Sequence, residues 1–473
     1  MTASFPKVDL AQTICAIATP LGTGGLAIVR LSGPDAIVIA DRVFRASDRK
    51  ALADQAGFTV HHGHIIDPET GEMLDEVLAT LFRKPKSFTA EDLVEFSTHG
   101  GHVVARRILH LLTVYGANMA APGEFTLRAF LNGRIDLTKA EAVADIVNAK
   151  TDEAAAAAVR QLEGQLHREI KALRAELIAA LARLEMGIDF TEEDLDPAEL
   201  TSIRERCRSV RDRIRNLRQG YRRGRILRDG FVVVLAGPPN VGKSTLFNLL
   251  AQDERAIVTE IPGTTRDILR EYINLDGWPL CLVDTAGIRV ATNLVEQIGV
   301  ERSGQAIHAA DAAIWMIDAN APWVHQLPPP AFAQLDAPWA ICPNKTDLCA
   351  NPDRMTESIA ADPSCSVPII PISAKHSTGV EKLLGEIKKW IGDVAAADQS
   401  TAIAINDRHR AALTRAEESI DKALAALTDD DSGGIELAAF DTKAAAEALG
   451  EIIGTTTTDE ILGAIFANFC IGK

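Results

Sequence analysis

The segment from Gly237 to Ser244 reads Gly-Pro-Pro-Asn-Val-Gly-Lys-Ser, the spacing of a phosphate-binding loop. An apolar run at 231–236 precedes it, and an apolar stretch at 245–251 follows it, so we expect a strand, a loop and a helix. Backbone N–H groups of such a loop and of the helix N-terminus point at phosphate oxygens. Lys243 would place positive charge at the β- and γ-phosphates, and the Ser244 hydroxyl is a predicted Mg²⁺ ligand.

Three further motifs follow in an order that indicates a guanine nucleotide. In Asp284-Thr-Ala-Gly287, the carboxylate can hold Mg²⁺ through water and the glycine N–H can reach the γ-phosphate. In Asn344-Lys345-Thr-Asp347, the Asp347 carboxylate can accept two N–H bonds from guanine, which adenine cannot offer. Asn344 and Lys345 would support the base, and Ser373-Ala374-Lys375 resembles the last guanine loop. Four motifs in this order, each after a predicted strand, predict a GTPase.

The predicted catalytic residues of this site depart from the pattern of Ras-like GTPases. Between the first two motifs lies Gly263-Thr-Thr-Arg-Asp267, in which Thr265, with Thr264 nearby, is predicted to complete the Mg²⁺ shell as part of a switch loop. Ile288 stands where Ras-like GTPases carry the glutamine that orients water. Arg289 and Glu296 are the downstream candidates for that task. From the residues alone, Glu296 is better interpreted as a solvated surface residue.

Composition limits the other possibilities. The chain has 473 residues, a formal net charge of −16, 47% hydrophobic residues and only 5% aromatics. These values are typical of a globular chain of about three domains and exclude wholesale disorder. No apolar run approaches the ~20 residues of a membrane helix, and no secretory signal is recognisable. Seven scattered cysteines without a CxxC pair favour a reducing cytosol, so we expect a cytoplasmic protein.

Residue composition and hydrophobic periodicity change along the chain. We predict a multidomain chain with an α+β N-terminal domain at 1–132, an all-α helical domain at 133–227, an α/β P-loop domain with a doubly wound sheet at 228–394, and a return to helix at 395–473. The return of Ala-rich helical sequence favours one helical domain interrupted by the α/β domain. Two independent helical domains remain an alternative.

Several motifs outside the predicted nucleotide site strengthen the assignment. They are Gly22-Thr-Gly-Gly25, Ala27-Ile-Val-Arg30, Phe130-Leu-Asn-Gly-Arg134-Ile-Asp-Leu137 and the terminal Phe469-Cys470-Ile-Gly-Lys473. With the switch motif, they make the whole chain resemble the bacterial tRNA-modification GTPases of the MnmE/TrmE family. The terminal motif is rare among GTPases, which makes the resemblance specific.

The resemblance implies a function and partners. The N-terminal domain would bind a folate and form a homodimer, and the GTPase domain would be inserted in the helical domain. With a flavoprotein partner (MnmG/GidA), the protein would add an aminomethyl-type (carboxymethylaminomethyl) group to position 5 of the wobble uridine of certain tRNAs. The one-carbon unit would come from 5-formyl- or methylene-tetrahydrofolate. GTP hydrolysis would need Mg²⁺ and K⁺ and would be activated when the GTPase domains of the dimer meet.

The resemblance also implies roles for particular residues. Glu296 becomes the favoured water-orienting residue, and Ser244 and Thr265 the Mg²⁺ ligands. The K⁺ candidates are Asn240, Thr259, Ile261 (by its carbonyl) and Thr264. The folate contacts map to Arg30, Glu95, Arg134 and Lys473, although position 134 is often Lys in the family. Cys470 is implied to matter for modification, whereas the commoner fate of such a cysteine is burial.

Motifs and resemblance together assign one set of residues to nucleotide binding. That set is Asn240, Val241, Gly242, Lys243, Ser244, Thr245, Thr259, Glu260, Ile261, Pro262, Gly263, Thr264, Thr265, Asp284, Thr285, Ala286, Gly287, Asn344, Lys345, Asp347, Ser373, Ala374 and Lys375.

Two features of the sequence, an arginine-rich segment and a group of histidines, allow more than one interpretation. The segment 204–228 holds eleven Arg against two acidic residues, a local charge of 11 − 2 = +9. A solvated helix with scattered ion pairs is the favoured interpretation, and a tRNA-backbone contact is the alternative. Five histidines (His61, His62, His64, His99 and His102) have metal-like spacings but are better interpreted as structural or surface residues.

Two functions of different classes are consistent with the motifs. One is a GTP-hydrolysing subunit of a tRNA-modifying complex, and the other is a regulatory GTPase switch such as a ribosome-assembly factor. The GTPase motifs alone do not separate the two, whereas the terminal Cys-Ile-Gly-Lys and the N-terminal region favour the first.

Overall fold

The computed structural model describes residues 8–20, 22–189, 197–252, 256–257, 269–284, 310–333, 335–349, 351–362, 366–396, 403–427, 432–466, 469–470 and 472. The chain divides into two compact units. The first comprises Met1–Ala144, Leu162–Phe190 and Ala439–Lys473, and the second comprises Asp145–Gln161 and Thr191–Ala438.

A seven-stranded sheet forms the centre of the first unit. Its strands are β1 (Ile14–Ile17), β2 (Leu26–Ser32), β3 (Phe44–Ala46), β4 (Thr59–Ile66), β5 (Met73–Phe82), β6 (Leu93–His99) and β7 (Asn118–Met119). Their order is β3-β4-β5-β6-β2-β1-β7, and every pair is antiparallel except β1 with β7. Side chains alternate between the two faces of a strand. Val29 and Leu31 of β2 therefore enter the core, while Arg30 projects from the opposite face.

A six-stranded sheet forms the centre of the second unit. Its strands are β8 (Phe231–Ala236), β9 (Ala256–Ile257), β10 (Leu269–Leu275), β11 (Trp278–Asp284), β12 (Ala312–Asp318) and β13 (Trp339–Asn344), in the order β13-β12-β8-β11-β10-β9. Four of them, β13, β12, β8 and β11, run parallel, and their near-continuous apolar sequences match strands that are buried on both faces.

Helices make up most of the remaining described residues. They are α1 (Ala36–Val43), α2 (His102–Val114), α3 (Glu124–Leu131), α4 (Leu137–Asn148), α5 (Asp152–Leu162), α6 (Gln165–Asp189), α7 (Pro197–Gln219), α8 (Tyr221–Asp229), α9 (Lys243–Ala251), α10 (Pro330–Ala333), α11 (Pro352–Ala360), α12 (Val380–Ala396), α13 (Asp407–Ala426), α14 (Ser432–Ile453) and α15 (Asp459–Phe466). None of these helices is both long and apolar enough to cross a membrane.

The predicted fold class is confirmed. An α+β region comes first, helices follow, and the P-loop segment lies in an α/β region with a parallel sheet before the helices return. In the second unit, α7 packs against α13, so helices on either side of the α/β region in sequence meet in space. This packing is what an α/β insertion into a helical region requires.

Candidate nucleotide site and a second pocket

The phosphate-loop segment leaves the carboxyl end of β8 at the centre of the parallel sheet. Strand β8 has β11 on one side and β12 on the other, so its end is the point where the strand order reverses and where such sheets bind ligands. Gly237 has φ of +146°, and a Cβ there would lie 2.1 Å from the Met316 carbonyl oxygen. Only glycine fits this turn, which starts the loop.

Asn344 joins three of the predicted motifs by its side-chain amide. Its Nδ2 donates to the Val241 carbonyl (2.8 Å) in the phosphate loop, and its Oδ1 accepts from the Ala374 N–H (2.9 Å) in the last guanine loop. The residue is 2% exposed, so these bonds form away from solvent. Gly242 leaves the necessary space, because a Cβ at that position would lie 2.3 Å from the same Nδ2. Asn344 therefore holds the loops in register rather than only supporting the base.

The charged groups for phosphate and Mg²⁺ lie at the start of α9. Lys243 is 7% exposed, and its Nζ donates to the carbonyls of Gly237 and Pro238, both at 2.8 Å. Burial lowers the pKa of this ammonium, and the Asp284 carboxylate opposes that change. The Ser244 hydroxyl donates to Asp284 Oδ2 at 3.1 Å. A hydroxyl beside a buried carboxylate is a pair of hard oxygen donors of the kind that Mg²⁺ binds, so these residues fit the predicted metal.

The predicted guanine-binding residues form a second group beside this loop. The Ser373 hydroxyl donates to Asp347 Oδ1 at 2.5 Å, and this bond lowers the pKa of the exposed Asp347 carboxyl. Asp347 is therefore an ionised acceptor over the neutral pH range, as pairing with two N–H donors requires. Lys345 has φ of +65°, and its Nζ lies 2.7 Å from Asp318 Oδ2.

Asp318 and Asn320 are supporting residues that the sequence analysis missed. Asp318 ends β12, and Asn320 Nδ2 donates to the Lys345 carbonyl at 3.2 Å. The sequence contains a pattern that could have identified Asp318, because this Asp follows the apolar residues of β12 as Asp284 follows those of β11. Asp318 fixes the ammonium of Lys345, and Asn320 fixes its backbone carbonyl, beside the guanine loop.

Many predicted catalytic and switch residues lie outside the described residues. They are Thr259, Glu260, Ile261, Pro262, Gly263, Thr264, Thr265, Thr285, Ala286, Gly287, Arg289, Glu296 and, at the chain end, Lys473. Of the predicted metal ligands, Ser244 and Asn240 are described, and Asn240 has φ of +64° within the loop. The water-orienting role of Glu296 stays a prediction.

The first unit contains a separate pocket that is lined by two predicted folate contacts, with a third paired to one of them. Arg30 of β2 and Glu95 of β6 are direct cross-strand neighbours, and Arg30 Nε donates to Glu95 Oε1 at 2.8 Å. A cavity of about 420 Å³ is lined by Glu95 and Arg134 together with aromatic and aliphatic side chains. Those side chains include Phe58, Phe82, Phe88 and Leu93.

Phe88 links the two arginines, and sequence analysis did not identify it. The guanidinium carbons of Arg30 and Arg134 lie 5.6 Å and 5.0 Å from the Phe88 ring centroid, which is within cation–π range. Arg134 Nη1 also donates to the Phe88 carbonyl at 2.8 Å. Nothing in the sequence around Phe88 signals this role, because the contacts come from residues 46 and more positions away.

The C-terminal segment reaches the same pocket. Arg30 Nη1 donates to the Gly472 carbonyl at 3.1 Å, and the Gly123 N–H donates to the Cys470 carbonyl at 3.3 Å. The Phe469 ring is buried with Phe466 against α3 and α4. Cys470 itself is exposed, so the commoner expectation of a buried thiol is wrong here.

Most arginines of the segment 204–228 have partners, as the favoured interpretation predicts. Acidic side chains or carbonyls accept from Arg204, Arg211, Arg215, Arg218, Arg225 and Arg228. His99 pairs with Asp75 and His62 with Glu76, and the described residues contain no cluster of three or more potential metal ligands.

Comparison with known proteins covers both units. Residues 13–134 match the family described as "GTP-binding protein TrmE N-terminus", and residues 137–470 match "MnmE helical domain". The tRNA modification GTPase MnmE of Geobacillus kaustophilus is 44% identical over 98% of this chain and 99% of its own length. That of Lacticaseibacillus paracasei is 43% identical over the full length of both. Among solved structures, the FeoB G-domain of Methanococcus jannaschii is 24% identical over 34% of this chain and 98% of its own, with a TM-score of 0.26.

Proposed function

The chain belongs to the MnmE family of tRNA modification GTPases, and we propose that it acts with a flavoprotein partner (MnmG/GidA) on the wobble uridine of certain tRNAs. In this proposal the complex adds a carboxymethylaminomethyl-type group to position 5 of the base. The observation that carries the proposal is the second pocket, which Glu95 and Arg134 line and beside which Arg30 contacts both Glu95 and the C-terminal Gly472. A GTPase that served only as a switch would have no need of this pocket.

The nucleotide part follows from the chain's own residues. Lys243 holds positive charge beside the β- and γ-phosphates, and Asp347 accepts from the guanine N–H groups. Ser244, with Asp284 behind it, and Thr265 would hold Mg²⁺, which neutralises phosphate charge when it is bound. Asn344 keeps the loops in place, so binding of the base and binding of the phosphates depend on one another.

The folate part rests on the chemistry of the pocket. A tetrahydrofolate has a flat pterin with N–H donors, an aromatic linker and an anionic glutamate tail. Glu95 is an acceptor for the pterin N–H groups, and the aromatic wall supplied by Phe82 and Phe88 matches the ring system. Arg30 would hold Glu95 at the pterin, and Arg134 and Lys473 would supply cations for the tail. The exposed Cys470 is three positions before Lys473 in the sequence. In this proposal its thiol is therefore close in sequence to the folate contact at Lys473.

We further propose a homodimer in the cytoplasm whose GTPase domains meet during hydrolysis. The four regions 1–132, 133–227, 228–394 and 395–473 would be the functional divisions of each chain. Asn240, Thr259, Ile261 and Thr264 would hold K⁺, which supplies positive charge at the phosphates when it is bound. Glu296 would orient the attacking water, with Arg289 as the alternative.

Salt substitution tests the potassium part. We expect GTP turnover to be fast in KCl and slow in NaCl at equal ionic strength, and Glu296→Ala to abolish turnover while GTP still binds. Phosphate release and a fluorescent GTP analogue measure the two properties. Equal rates in both salts would contradict the K⁺ site, and normal turnover of Glu296→Ala would transfer the role to Arg289.

Nucleoside mass spectrometry tests the function as a whole. We expect tRNA from cells lacking this protein to lose the aminomethyl-type groups at wobble uridines, and the wild-type gene to restore them. Unchanged nucleosides, together with co-sedimentation of the GTP-bound protein with ribosomal subunits, would replace the proposal with a ribosome-linked switch.

A further inference from the structure

An arginine-lined cavity in the second unit has no part in either site described above. Its volume is about 510 Å³, and it lies where the end of α7, the start of α8, the start of α13 and the end of α12 come together. The residues that line it are Arg215, Arg218, Gln219, Tyr221, Arg222, Val394, Arg410 and Glu417. Four guanidiniums and one carboxylate give this lining a formal charge of 4 − 1 = +3.

Glu417 fixes two of the four arginines. Its Oε1 accepts from Arg215 Nε at 2.6 Å, and its Oε2 accepts from Arg218 Nη1. Burial would raise the pKa of Glu417, but the hydrogen bonds from Arg215 and Arg218 outweigh burial and hold that pKa below its usual value. The carboxylate is therefore ionised, and the two guanidiniums are held in one orientation at the cavity wall.

The other two arginines are less neutralised than Arg215 and Arg218, because of the two only Arg410 has an acidic neighbour, Asp407, among the described residues. Arg222 is exposed, and no carboxylate of a described residue lies within 4 Å of it. Arg410 is also exposed, and its guanidinium carbon lies 4.3 Å from the Tyr221 ring centroid. The Tyr221 hydroxyl donates to Asp407 Oδ1 at 2.6 Å, which holds the ring in place under Arg410. The same Asp407 oxygen is 3.8 Å from Arg410, beyond hydrogen-bonding distance.

The charge of the whole chain makes this cavity unusual. The formal net charge is −16, so the chain as a whole repels a polyanion. A polyanionic substrate needs a local region of opposite sign, and the +9 segment at 204–228 contributes three of the four arginines in this cavity. Guanidiniums bind phosphate oxygens through paired N–H groups, and Arg410, which lies over the Tyr221 ring, loses less side-chain entropy in doing so than an unsupported arginine.

We propose that this cavity binds the phosphodiester backbone of the RNA substrate, with Arg222 and Arg410 contacting phosphates and Glu417 and Tyr221 orienting the cationic wall. The inference rests on the proposed function in one respect, because it takes the RNA to be the tRNA that the complex modifies. An acidic segment of a partner protein is the competing occupant, but a peptide carboxylate offers lower charge density than a phosphate chain.

The experiment measures binding of unmodified tRNA to the full-length protein by fluorescence anisotropy at several salt concentrations. The test variants are Arg222→Glu and Arg410→Glu. The control is Arg354→Glu, which makes the same charge change at an exposed arginine of α11 outside the cavity lining. A milder variant, Arg222→Lys, keeps the charge and loses the paired geometry. GTP turnover without tRNA reports whether each variant is folded.

We expect Arg222→Glu and Arg410→Glu to weaken tRNA binding by roughly tenfold or more and to lower the slope of log affinity against log salt by about 1 for each lost phosphate contact. Arg354→Glu should change affinity by no more than about twofold, with the wild-type slope, because only a distant screened charge is altered. Arg222→Lys should keep most of the slope and lose part of the affinity. GTP turnover should be the same in all of them.

Three results would overturn the proposal while the proposed function stands. The first is wild-type affinity and slope in both test variants. The second is an equal loss in Arg354→Glu, which would indicate diffuse charge instead of a site. The third is loss of flavoprotein binding with tRNA binding intact, which would identify an acidic protein as the occupant. If the wild-type protein neither binds tRNA nor restores wobble nucleosides in cells, the proposed function fails and the assignment of this cavity fails with it.

Discussion

The two pockets of this chain are assembled in opposite ways. In the nucleotide site, the phosphate loop and the Asn344 motif stand at the ends of parallel strands, and the Asn344 side chain ties the described loops together through their backbone groups. In the pocket of the first unit, Arg30, Glu95, Arg134 and Gly472 come from four distant parts of the chain. Their positions depend on strand register and on side-chain contacts to Phe88.

This difference has consequences for how each site responds to substitution. The Lys243 side chain donates within its own loop and does not join the loops of the nucleotide site as Asn344 does, so a change at Lys243 should remove chemistry without moving its neighbours. The second pocket is held by side chains, so a substitution in any of its segments should displace the others. Three substitutions test whether each site can be impaired without affecting the other. They also test whether the nucleotide site loses chemistry alone, whereas the second pocket loses its arrangement.

The largest expected effect is on GTP hydrolysis. Lys243→Ala removes a cation that is 7% exposed at the phosphate loop, and we expect turnover to fall by roughly 100-fold or more. Binding of 5-formyltetrahydrofolate, measured by calorimetry on the same preparation, should remain within about twofold of wild type. Turnover within about tenfold of wild type would contradict the role of Lys243.

The next effect is on folate binding. Arg30→Ala removes a guanidinium that contacts Glu95, Gly472 and the Phe88 ring, so we expect affinity for 5-formyltetrahydrofolate to fall by about 10- to 100-fold. Arg30→Lys is the matched control. Its folate affinity should lie between that of Arg30→Ala and that of wild type, because lysine keeps the positive charge and loses the paired N–H groups of the guanidinium. GTP turnover should not change. Equal folate affinity in Arg30→Ala and wild type would show that folate does not bind in this pocket.

The smallest effect tests whether the chain end positions the pocket. Gly472 has φ of +91°, and a Cβ there would lie 2.6 Å from the Ile17 carbonyl oxygen, so Gly472→Ala must displace the segment that accepts from Arg30. We expect a loss of about three- to tenfold in folate affinity, or roughly 1 kcal/mol. Gly392→Ala is the control, because a Cβ in that helix meets nothing within 4 Å. The same affinity in both variants would show that the C-terminal segment does not shape the pocket.

The nucleotide site was largely predictable because its information is local. A strand, a glycine-bearing turn and a helix follow one another within about 20 residues, so spacing alone indicates the loop and the chemistry of Lys243 and Asp347. Asp318 was missed although it closes a strand in the same manner as Asp284. The structural role of Asn344 was also missed, because a side chain that crosses 103 positions to reach Val241 leaves no local pattern.

The arginine segment shows the limit of composition. Its charge of +9 is visible in the sequence, but the sequence does not say which guanidiniums are neutralised. Packing of α7 against α13 places Glu417 and Asp421 opposite Arg211, Arg215 and Arg218. Arg222 has no such partner among the described residues and lines the cavity, a combination that the sequence does not reveal.

Residue types at short, fixed spacings were enough to indicate the family, the fold class and the guanine-nucleotide chemistry. Tertiary structure decided that Arg30 faces Glu95, that the chain end lies against Arg30, and which arginines remain unpaired. These facts depend on strand register and helix packing between segments that lie from 65 to 442 positions apart. Shifting a strand by one residue would turn Arg30 into the core, so only the folded chain fixes that pocket.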